Sequence, residues 1–260
     1  MDKARILIGT SGYSYDDWEG PFYPPGLSKA ERLSFYAERF PAVELNFSYY
    51  RQPSASTLAR MVEKTPEGFL FTIKAHQSLT HSVGVDFQED IDRYKRGIRP
   101  LLEAGRLAAI LFQFPYSFHY TPDNRRHLQH LCDAFAGLPK AVEFRNSEWQ
   151  REPVYRGLRE ASTSLVNVDE PSLARLPKAS DVVCAEPAYL RFHGRNRDNW
   201  WKGDNVSRYD YLYDSEELSE WLPMIERMLA KAQLLLVMFN NHSRGQAVRN
   251  ARELQGLLFA

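Results

Sequence analysis

The chain has 260 residues, 43% of them hydrophobic, and its 33 basic residues balance 33 acidic ones. This composition excludes an intrinsically disordered chain, and the zero net charge argues against a protein whose whole surface attracts nucleic acid. The two cysteines, Cys132 and Cys184, lack CxxC spacing, which argues against a zinc knuckle or a disulfide framework.

Eight short apolar runs recur along the chain, separated by longer amphipathic or polar stretches. Each run is rich in Val, Ile, Leu or Phe, as strands of a parallel sheet covered on both faces should be. Such strands alternating with helices predict the α/β class, and eight of them predict a single (β/α)8 TIM barrel that occupies residues 1–260 as one domain. The predicted strands are 6–10, 43–46, 69–75, 109–114, 141–145, 164–169, 189–193 and 234–240.

Amphipathic stretches between these runs predict the helices of the barrel. The sixth connection is different, because Pro171, Pro177 and Pro187 leave room for little helix between residues 170 and 188. We therefore expect one irregular connection. The predicted helices are 28–39, 54–64, 87–105, 123–135, 154–161, 215–231 and 247–258.

Polar residues at the ends of the predicted strands come in pairs two residues apart. Because side chains at i and i+2 of a strand share a face, both members of a pair point the same way. The outer face of a barrel packs on helices, so we expect these pairs to point inward at the open C-terminal end, where TIM-barrel active sites lie. The alternative is a structural network of buried ion pairs. The pairs are Glu44 and Asn46, Lys74 and His76, Glu143 and Arg145, Asn167 and Asp169, Arg191 and His193, and Asn240 and His242, and Gln113 ends the fourth strand alone.

This ring of polar residues predicts an anion-binding site with acid/base groups beside it. Lys74, Arg145 and Arg191 are cations that could converge on a phosphate or carboxylate. Neighbouring charges shift the pKa values of carboxylates and histidines, as proton transfer demands. The predicted catalytic residues are Glu143, His193, Asp169, Glu44 and His76, and the predicted substrate or anion contacts in the ring are Lys74, Arg145, Arg191, Asn46, Gln113, Asn240 and His242.

Metal and cofactor motifs are not evident in the sequence. No HxH, HExxH or DxD spacing marks out the ring, so no metal ligand is assigned and a divalent metal is not favoured. The chain has no glycine-rich phosphate motif and no GxSxG, and no organic cofactor is expected.

Two connections that follow strands, 11–26 and 194–214, are long and aromatic. Loops of this length in a compact domain are usually functional. In the second loop, Trp200 and Trp201 stand among basic and amide side chains, a mixture that suits stacking of a sugar or base next to a phosphate. The alternative is a loop that folds its own aromatic side chains inward. The loop adds Arg195, Asn196 and Trp200 to the predicted binding residues.

Eight segments follow one another in an order that matches a known family. They are GTSGYSYDDWEGPFYP (9–24), VELNFSYYRQP (43–53), FTIKAHQSLTH (71–81), LFQFP (111–115), AVEFRNSEW (141–149), DEP (169–171), YLRFHGRN (189–196) and FNNHSRGQAVRNA (239–251). Over almost its whole length the chain therefore resembles the DUF72 family, also called the YecE-like proteins.

The resemblance implies a TIM-barrel fold, grouped by shape near metal-dependent barrels such as endonuclease IV and xylose isomerase. It implies no established reaction, because the family is a domain of unknown function. Members often carry proline or arginine after the third-strand lysine, where this chain has Ala75 and His76, so the resemblance supports Glu143, Arg145 and His193 more than His76. The dense ligand set of endonuclease IV is not reproduced, so its three-metal chemistry is not implied.

Three functional hypotheses follow. We expect an enzyme, a hydrolase or isomerase, that uses the acid/base residues and the anion site on a small phosphorylated or sugar-like substrate. The second is a nucleic-acid binder or an endonuclease IV-like phosphodiester hydrolase, which the zero net charge disfavours. The third is a non-catalytic scaffold. With neither a signal-peptide core nor a membrane span in the sequence, we expect a cytoplasmic protein without a membrane partner. The basic residues of the nucleic-acid hypothesis are Arg195, Arg197, Lys202, Arg208 and Arg244.

Overall fold

Eight parallel strands close into one barrel in sequence order. The computed structural model describes residues 5–204 and 206–259. Each strand pairs with the next along the chain, and the last pairs with the first from Arg5 opposite Leu234 to Thr10 opposite Phe239, which closes the sheet. The (β/α)8 barrel predicted from the sequence is confirmed. The strands are β1 Arg5–Ser11, β2 Ala42–Leu45, β3 Leu70–Lys74, β4 Leu107–Gln113, β5 Lys140–Glu143, β6 Ser164–Asp169, β7 Ala188–Phe192 and β8 Leu234–Phe239.

Helices surround the barrel; two of the predicted helices differ from the observed ones, and two short helices, Phe47–Tyr50 and Gln77–Thr80, were not predicted. The helix predicted at 28–39 spans only Arg32–Ala37. The helix predicted at 215–231 is two helices, because Pro223 lies in the first turn of the second one and cannot donate a backbone N–H to continue the first. None of the described helices is both long and apolar enough to cross a membrane. The helices are α1 Arg32–Ala37, α2 Phe47–Tyr50, α3 Ala55–Glu63, α4 Gln77–Thr80, α5 Phe87–Glu103, α6 Pro122–Ala134, α7 Glu152–Glu160, α8 Ser215–Ser219, α9 Leu222–Leu229 and α10 Gln246–Phe259.

The sixth connection, between β6 and β7, is the irregular one. Residues 170–187 are all described and form no helix. The side chain of Asn167 on β6 holds this connection by three hydrogen bonds. Its Oδ1 accepts from the backbone N–H of Val182 at 3.1 Å and from the hydroxyl of Ser180 at 2.7 Å. Its Nδ2 donates to the carbonyl of Val182 at 2.9 Å.

Inward-pointing side chains fill the lower barrel with an apolar layer that is separate from the core under the helices. Alternate residues of each strand contribute to it, as the two-residue repeat requires. Continuing that alternation toward the C-terminal ends of the strands leads to the polar residues of the site. The layer includes Leu7, Ala42, Ala109, Leu111, Ala141, Val166, Val168, Tyr189, Leu236 and Met238.

Candidate active site

A cavity of about 960 Å³ opens at the C-terminal end of the barrel. This is the end at which TIM-barrel enzymes bind their substrates. The three cations predicted to form an anion site all line it, and they come from or directly follow three different strands, β3, β5 and β7. The predicted residues that line the cavity are Lys74, Arg145, Arg191, Asn46, Gln113, Trp200, Asn240 and His242.

Arg191 holds two buried carboxylates together. Its guanidinium donates to Oε1 of Glu44 at 2.6 Å, and it also donates to Oε2 of Glu143. Both carboxylates are fully buried, so they depend on these charged partners to offset the loss of water. The hydroxyl of Tyr189 donates to the second oxygen of Glu44 at 2.5 Å. The Nε of Arg191 has no hydrogen-bond partner within the described part of the chain.

Arg145 extends this network. Its Nε donates to Oε1 of Glu143 at 2.6 Å, and its Nη1 donates to Oε2 of Glu170 at 3.3 Å. Burial alone would raise the pKa of the Glu143 carboxyl, but Arg145 and Arg191 hold it well below its usual range. The ring of Trp200, which is only 3% exposed, lies 5.6 Å from Cζ of Arg145. Glu143 is thus a permanent carboxylate that positions both arginines.

His193 is a neutral ring within the same network. Its Nδ1 lies 3.1 Å from the amide nitrogen of Asn240 and 3.5 Å from Nη2 of Arg145, and both of these nitrogens carry N–H donors. Nδ1 is therefore the acceptor, and the ring proton lies on Nε2, 3.3 Å from Oε1 of Glu143. Burial, followed by the charge of Arg145, lowers the pKa of His193 to about 3. The ring does not line the cavity, so these contacts indicate a positioning role.

Lys74 differs from the two arginines in its partners. Among the residues that the structure describes it forms no ion pair, because Glu44 and Glu143 pair with the arginines. Its Nζ donates to Oε1 of Gln113 at 2.8 Å and lies 4.4 Å from the centre of the Tyr49 ring. Burial, together with the positive charge of Arg191, lowers the pKa of Lys74 to about 7.

Glu170 is a site residue that the sequence analysis missed. Its side chain is only 1% exposed, and its Oε1 has no hydrogen-bond partner among the described residues. Burial raises the pKa of Glu170 to about 8, although Arg145 opposes the shift. The signal was present in the sequence: Val166 and Val168 point into the barrel, and two residues further the alternation places Glu170 on the same side.

Asp169 lies on the opposite face of β6, and its predicted position in the inward ring was wrong. One oxygen accepts from the hydroxyl of Tyr213 at 2.6 Å, and the other accepts from the indole N–H of Trp221 at 2.8 Å and from Nη2 of Arg195 at 2.8 Å. Asn167 shares this outward face. The pairing of Asn167 with Asp169 therefore assigns the wrong face, because a shift of one residue exchanges the two faces of a strand.

His76 also lies away from the cavity, contrary to its predicted place in the ring. Strand β3 ends at Lys74, and the chain turns at once into α4, so the two-residue alternation stops before His76. The imidazole caps α4 instead: its Nδ1 accepts from the backbone N–H of Ser78 at 3.3 Å.

Arg195 and Asn196 stabilise the loop after β7 and do not line the cavity. Besides Asp169, Arg195 pairs with Glu220 at 2.8 Å and with Glu217 at 3.3 Å. Asn196 donates to the carbonyls of Ser207 and Asp210, both at 3.0 Å. Arg244, another residue of the nucleic-acid hypothesis, pairs with the carboxylate of Asp210 at 2.7 Å. These pairs reduce the positive charge that could track a phosphate backbone.

Aromatic side chains form much of the cavity wall, most of them outside the predicted set. Trp201 is 51% exposed and packs edge to face on Tyr116 with 4.9 Å between ring centres, whereas the neighbouring Trp200 is buried. Tyr15 stacks on His242 at 4.5 Å, which joins the first loop to the last. Their positions in the loops and short helices after strands could have indicated them. Trp201 was named for stacking in the sequence, and the other aromatic and imidazole residues of the wall outside the predicted set are Tyr13, Tyr15, Phe47, Tyr49, Tyr50, His81, Tyr116 and Tyr209.

The donor set does not fit a resident metal ion. Within residues 5–204 and 206–259, no group of three or more His, Cys, Asp or Glu side chains is arranged to hold one. The carboxylates of Glu44 and Glu143 already accept hydrogen bonds from the guanidinium groups that line the cavity, whose positive charge would repel a cation.

Comparison with known proteins places the chain in a family. Residues 7–260 match the family described as "Protein of unknown function DUF72". The chain belongs to the DUF72 family. UPF0759 protein YunF from Bacillus subtilis (strain 168) is 32% identical to it, over 97% of this chain and 94% of that protein.

Solved structures of DUF72 proteins have the same fold. A DUF72 family protein from Thermotoga maritima is 39% identical and superposes with a TM-score of 0.91, covering 98% of this chain and 99% of the other. A DUF72 family protein from Enterococcus faecalis V583 is 29% identical with a TM-score of 0.88, covering 98% and 96%. None of these three names states a reaction, and a shared fold does not supply one, so function has to be argued from the site.

Proposed function

We propose that this DUF72 protein is an enzyme that binds a small phosphorylated or otherwise anionic, sugar-like substrate in the barrel mouth. The observation that carries the proposal is the convergence of Lys74, Arg145 and Arg191 on one cavity at the catalytic end of a TIM barrel. Arg145 and Arg191 have carboxylate partners, whereas Lys74 has none among the described residues, so an anion in the cavity would supply the counter-charge that the protonated lysine lacks.

The residues of the network divide the work in this proposal. Glu44, Glu143 and His193 fix the guanidinium groups from below, which prepares the donors before the substrate arrives. These contacts favour a positioning role over the proton-transfer role that the sequence suggested for Glu143 and His193. Both carboxylate oxygens of Glu143 accept hydrogen bonds from guanidinium groups, and the imidazole of His193 does not line the cavity. The exposed ring of Trp201 offers a flat apolar surface for a sugar ring.

Inorganic phosphate is the probe that tests the anion site. A ligand that binds only the folded state adds RT ln(1 + [L]/Kd), so phosphate at a hundred times its Kd should add about 2.7 kcal/mol and raise Tm by roughly 5–10 °C. We expect Lys74→Met and Arg145→Met each to reduce this increment at a fixed phosphate concentration. Lys74→Met is the cleaner variant, because it leaves no carboxylate without its partner.

Arg93→Met serves as the matched control, because Arg93 is an exposed cation on α5 whose partner is Glu89. It should keep the full phosphate increment. An increment that all three variants retain would place the anion elsewhere and overturn the proposal. Stabilisation by a single-stranded oligonucleotide but not by phosphate would favour the nucleic-acid hypothesis instead.

A further inference from the structure

Lys74 combines three features that a simple charge contact does not need. Its amine reaches a cavity large enough for a substrate, no described carboxylate pairs with it, and its Nζ is fixed in direction by Gln113. The Gln113 amide is itself anchored, because its Nε2 donates to the carbonyl of Phe114 at 2.7 Å. The glutamine oxygen therefore faces Lys74 and holds the amine above the Tyr49 ring.

Burial, and after it the charged groups around Lys74, favour the neutral form of the amine. Arg191 and Arg145 add positive charge from β7 and from the end of β5, whereas Glu143 and Glu44 oppose them only in part. His81, which lines the same cavity, is neutral near pH 7, because burial, with the charge of Lys74, lowers the pKa of His81 to about 4. With a pKa of about 7, a large fraction of Lys74 carries a free lone pair at neutral pH.

We propose that Lys74 is a nucleophile that forms an imine with the carbonyl group of the substrate while Arg145 and Arg191 hold an anionic group of the same molecule. This inference rests on the proposed function and narrows its substrate class to a phosphorylated or carboxylated aldehyde or ketone. Gln113 is a positioning residue for the attack.

The step balances without an oxidant or reductant. The Nζ lone pair attacks the carbonyl carbon, the carbonyl π electrons move to oxygen, and transfer of a proton from nitrogen to that oxygen gives a carbinolamine. The C–O bond then breaks, and the oxygen leaves as water with the two hydrogens that the amine supplied. The product is a C=N bond between substrate and Lys74, and its protonated form withdraws electrons from the neighbouring substrate carbon.

Reductive trapping tests this assignment on the intact protein. Dihydroxyacetone phosphate is the probe, sodium cyanoborohydride reduces any imine to a stable amine, and peptide mass spectrometry locates the adduct. At pH 7 the neutral fraction of an amine with a pKa near 7 is about 10³-fold that of an ordinary lysine. We expect Lys74 to be modified at least about tenfold faster than the exposed Lys29, with one adduct per chain at early times.

Two substitutions make the test specific. Lys74→Arg keeps the positive charge but cannot form the imine, so it should lose the rapid adduct. Lys140→Arg is the matched control: Lys140 is a buried lysine whose pKa is also lowered by burial, but it lies at the start of β5, at the other end of the barrel. This variant should keep the rapid adduct on Lys74.

Unphosphorylated dihydroxyacetone separates directed binding from chance reactivity. It should modify Lys74 at least about tenfold more slowly, because it lacks the group that the arginines hold. Equal rates for Lys74 and Lys29 with the phosphorylated probe, or a rapid adduct that survives Lys74→Arg, would overturn the inference. If the rapid adduct on Lys74 is absent but phosphate still stabilises the wild-type protein, the anion site is supported and only the imine is rejected. If neither the adduct nor the phosphate stabilisation is observed, the proposed function is rejected as well.

Discussion

Glu143→Gln tests whether the buried network stabilises the barrel through charge. Oε1 of Glu143 accepts from Arg145 and faces Nε2 of His193, and Oε2 accepts from Arg191. Glutamine has nearly the same shape, but in either orientation its NH2 group meets an N–H of a guanidinium. The substitution therefore leaves two buried arginines short of a counter-charge, and breaking such a pair costs about 3–5 kcal/mol. In a chain of this length that loss lowers Tm by roughly 6–20 °C.

Equilibrium urea unfolding at pH 7, followed by tryptophan fluorescence, measures the free energy of unfolding directly. Glu103→Gln is the control, because Glu103 pairs with Arg99 at 2.7 Å on the surface of α5, with its side chain 61% exposed. That surface pair should contribute at most about 1 kcal/mol. A Glu143→Gln variant within about 1 kcal/mol of wild type, with an unchanged m value, would refute the argument that this carboxylate holds the arginines in place.

Two further predictions concern residues around the cavity. His193 has a pKa of about 3 in the folded protein and an ordinary pKa near 6.5 in the unfolded chain. Between these pH values the unfolded state binds more protons, so the free energy of unfolding falls as the pH drops, by up to about 1.4 kcal/mol per pH unit. The His193→Asn variant should lack this contribution to the pH dependence of unfolding. Trp200→Ala should cost about 3–5 kcal/mol, because Trp200 is buried. Trp201→Ala should cost less, about 1–2 kcal/mol, because that ring is half exposed and loses mainly its contact with Tyr116, and equal losses in calorimetry would contradict this assignment of the two rings.

The strands and most of the inward residues could be predicted from the sequence because they depend on local pattern. A continuous apolar run between polar stretches specifies a strand covered on both faces, and its two-residue alternation assigns Glu44, Glu143 and Arg191 to the interior. The same rule fails where its starting point is uncertain. At the end of β6, the consecutive residues Asp169 and Glu170 are both acidic, and only the inward position of Val166 and Val168 shows which of them enters the barrel.

The contacts of the loops could not be predicted because their partners are distant in sequence. Arg195 is a residue type that commonly binds phosphate, but in the structure it pairs with the carboxylates of Asp169, Glu217 and Glu220. These partners are 22 to 26 residues from Arg195 in the sequence. The prediction for His76 was wrong for a different reason: the alternation of residue types does not show that β3 ends at Lys74, two residues before His76. Alternation assigns a face only as far as the strand extends, and strand ends are decided by tertiary packing.

The arrangement of charge constrains how a substrate would lie in the cavity. An anionic group placed beside Lys74 would favour its charged form and remove the lone pair that an imine requires. An anion bound mainly by Arg145 and Arg191 does not carry this penalty to the same degree, because arginine stays protonated and donates in a fixed fork. We therefore expect the phosphate or carboxylate of the substrate to lie on the arginine side of the cavity and its carbonyl carbon to lie next to Lys74. In that orientation Gln113 can keep its hydrogen bond to the amine until the carbonyl arrives.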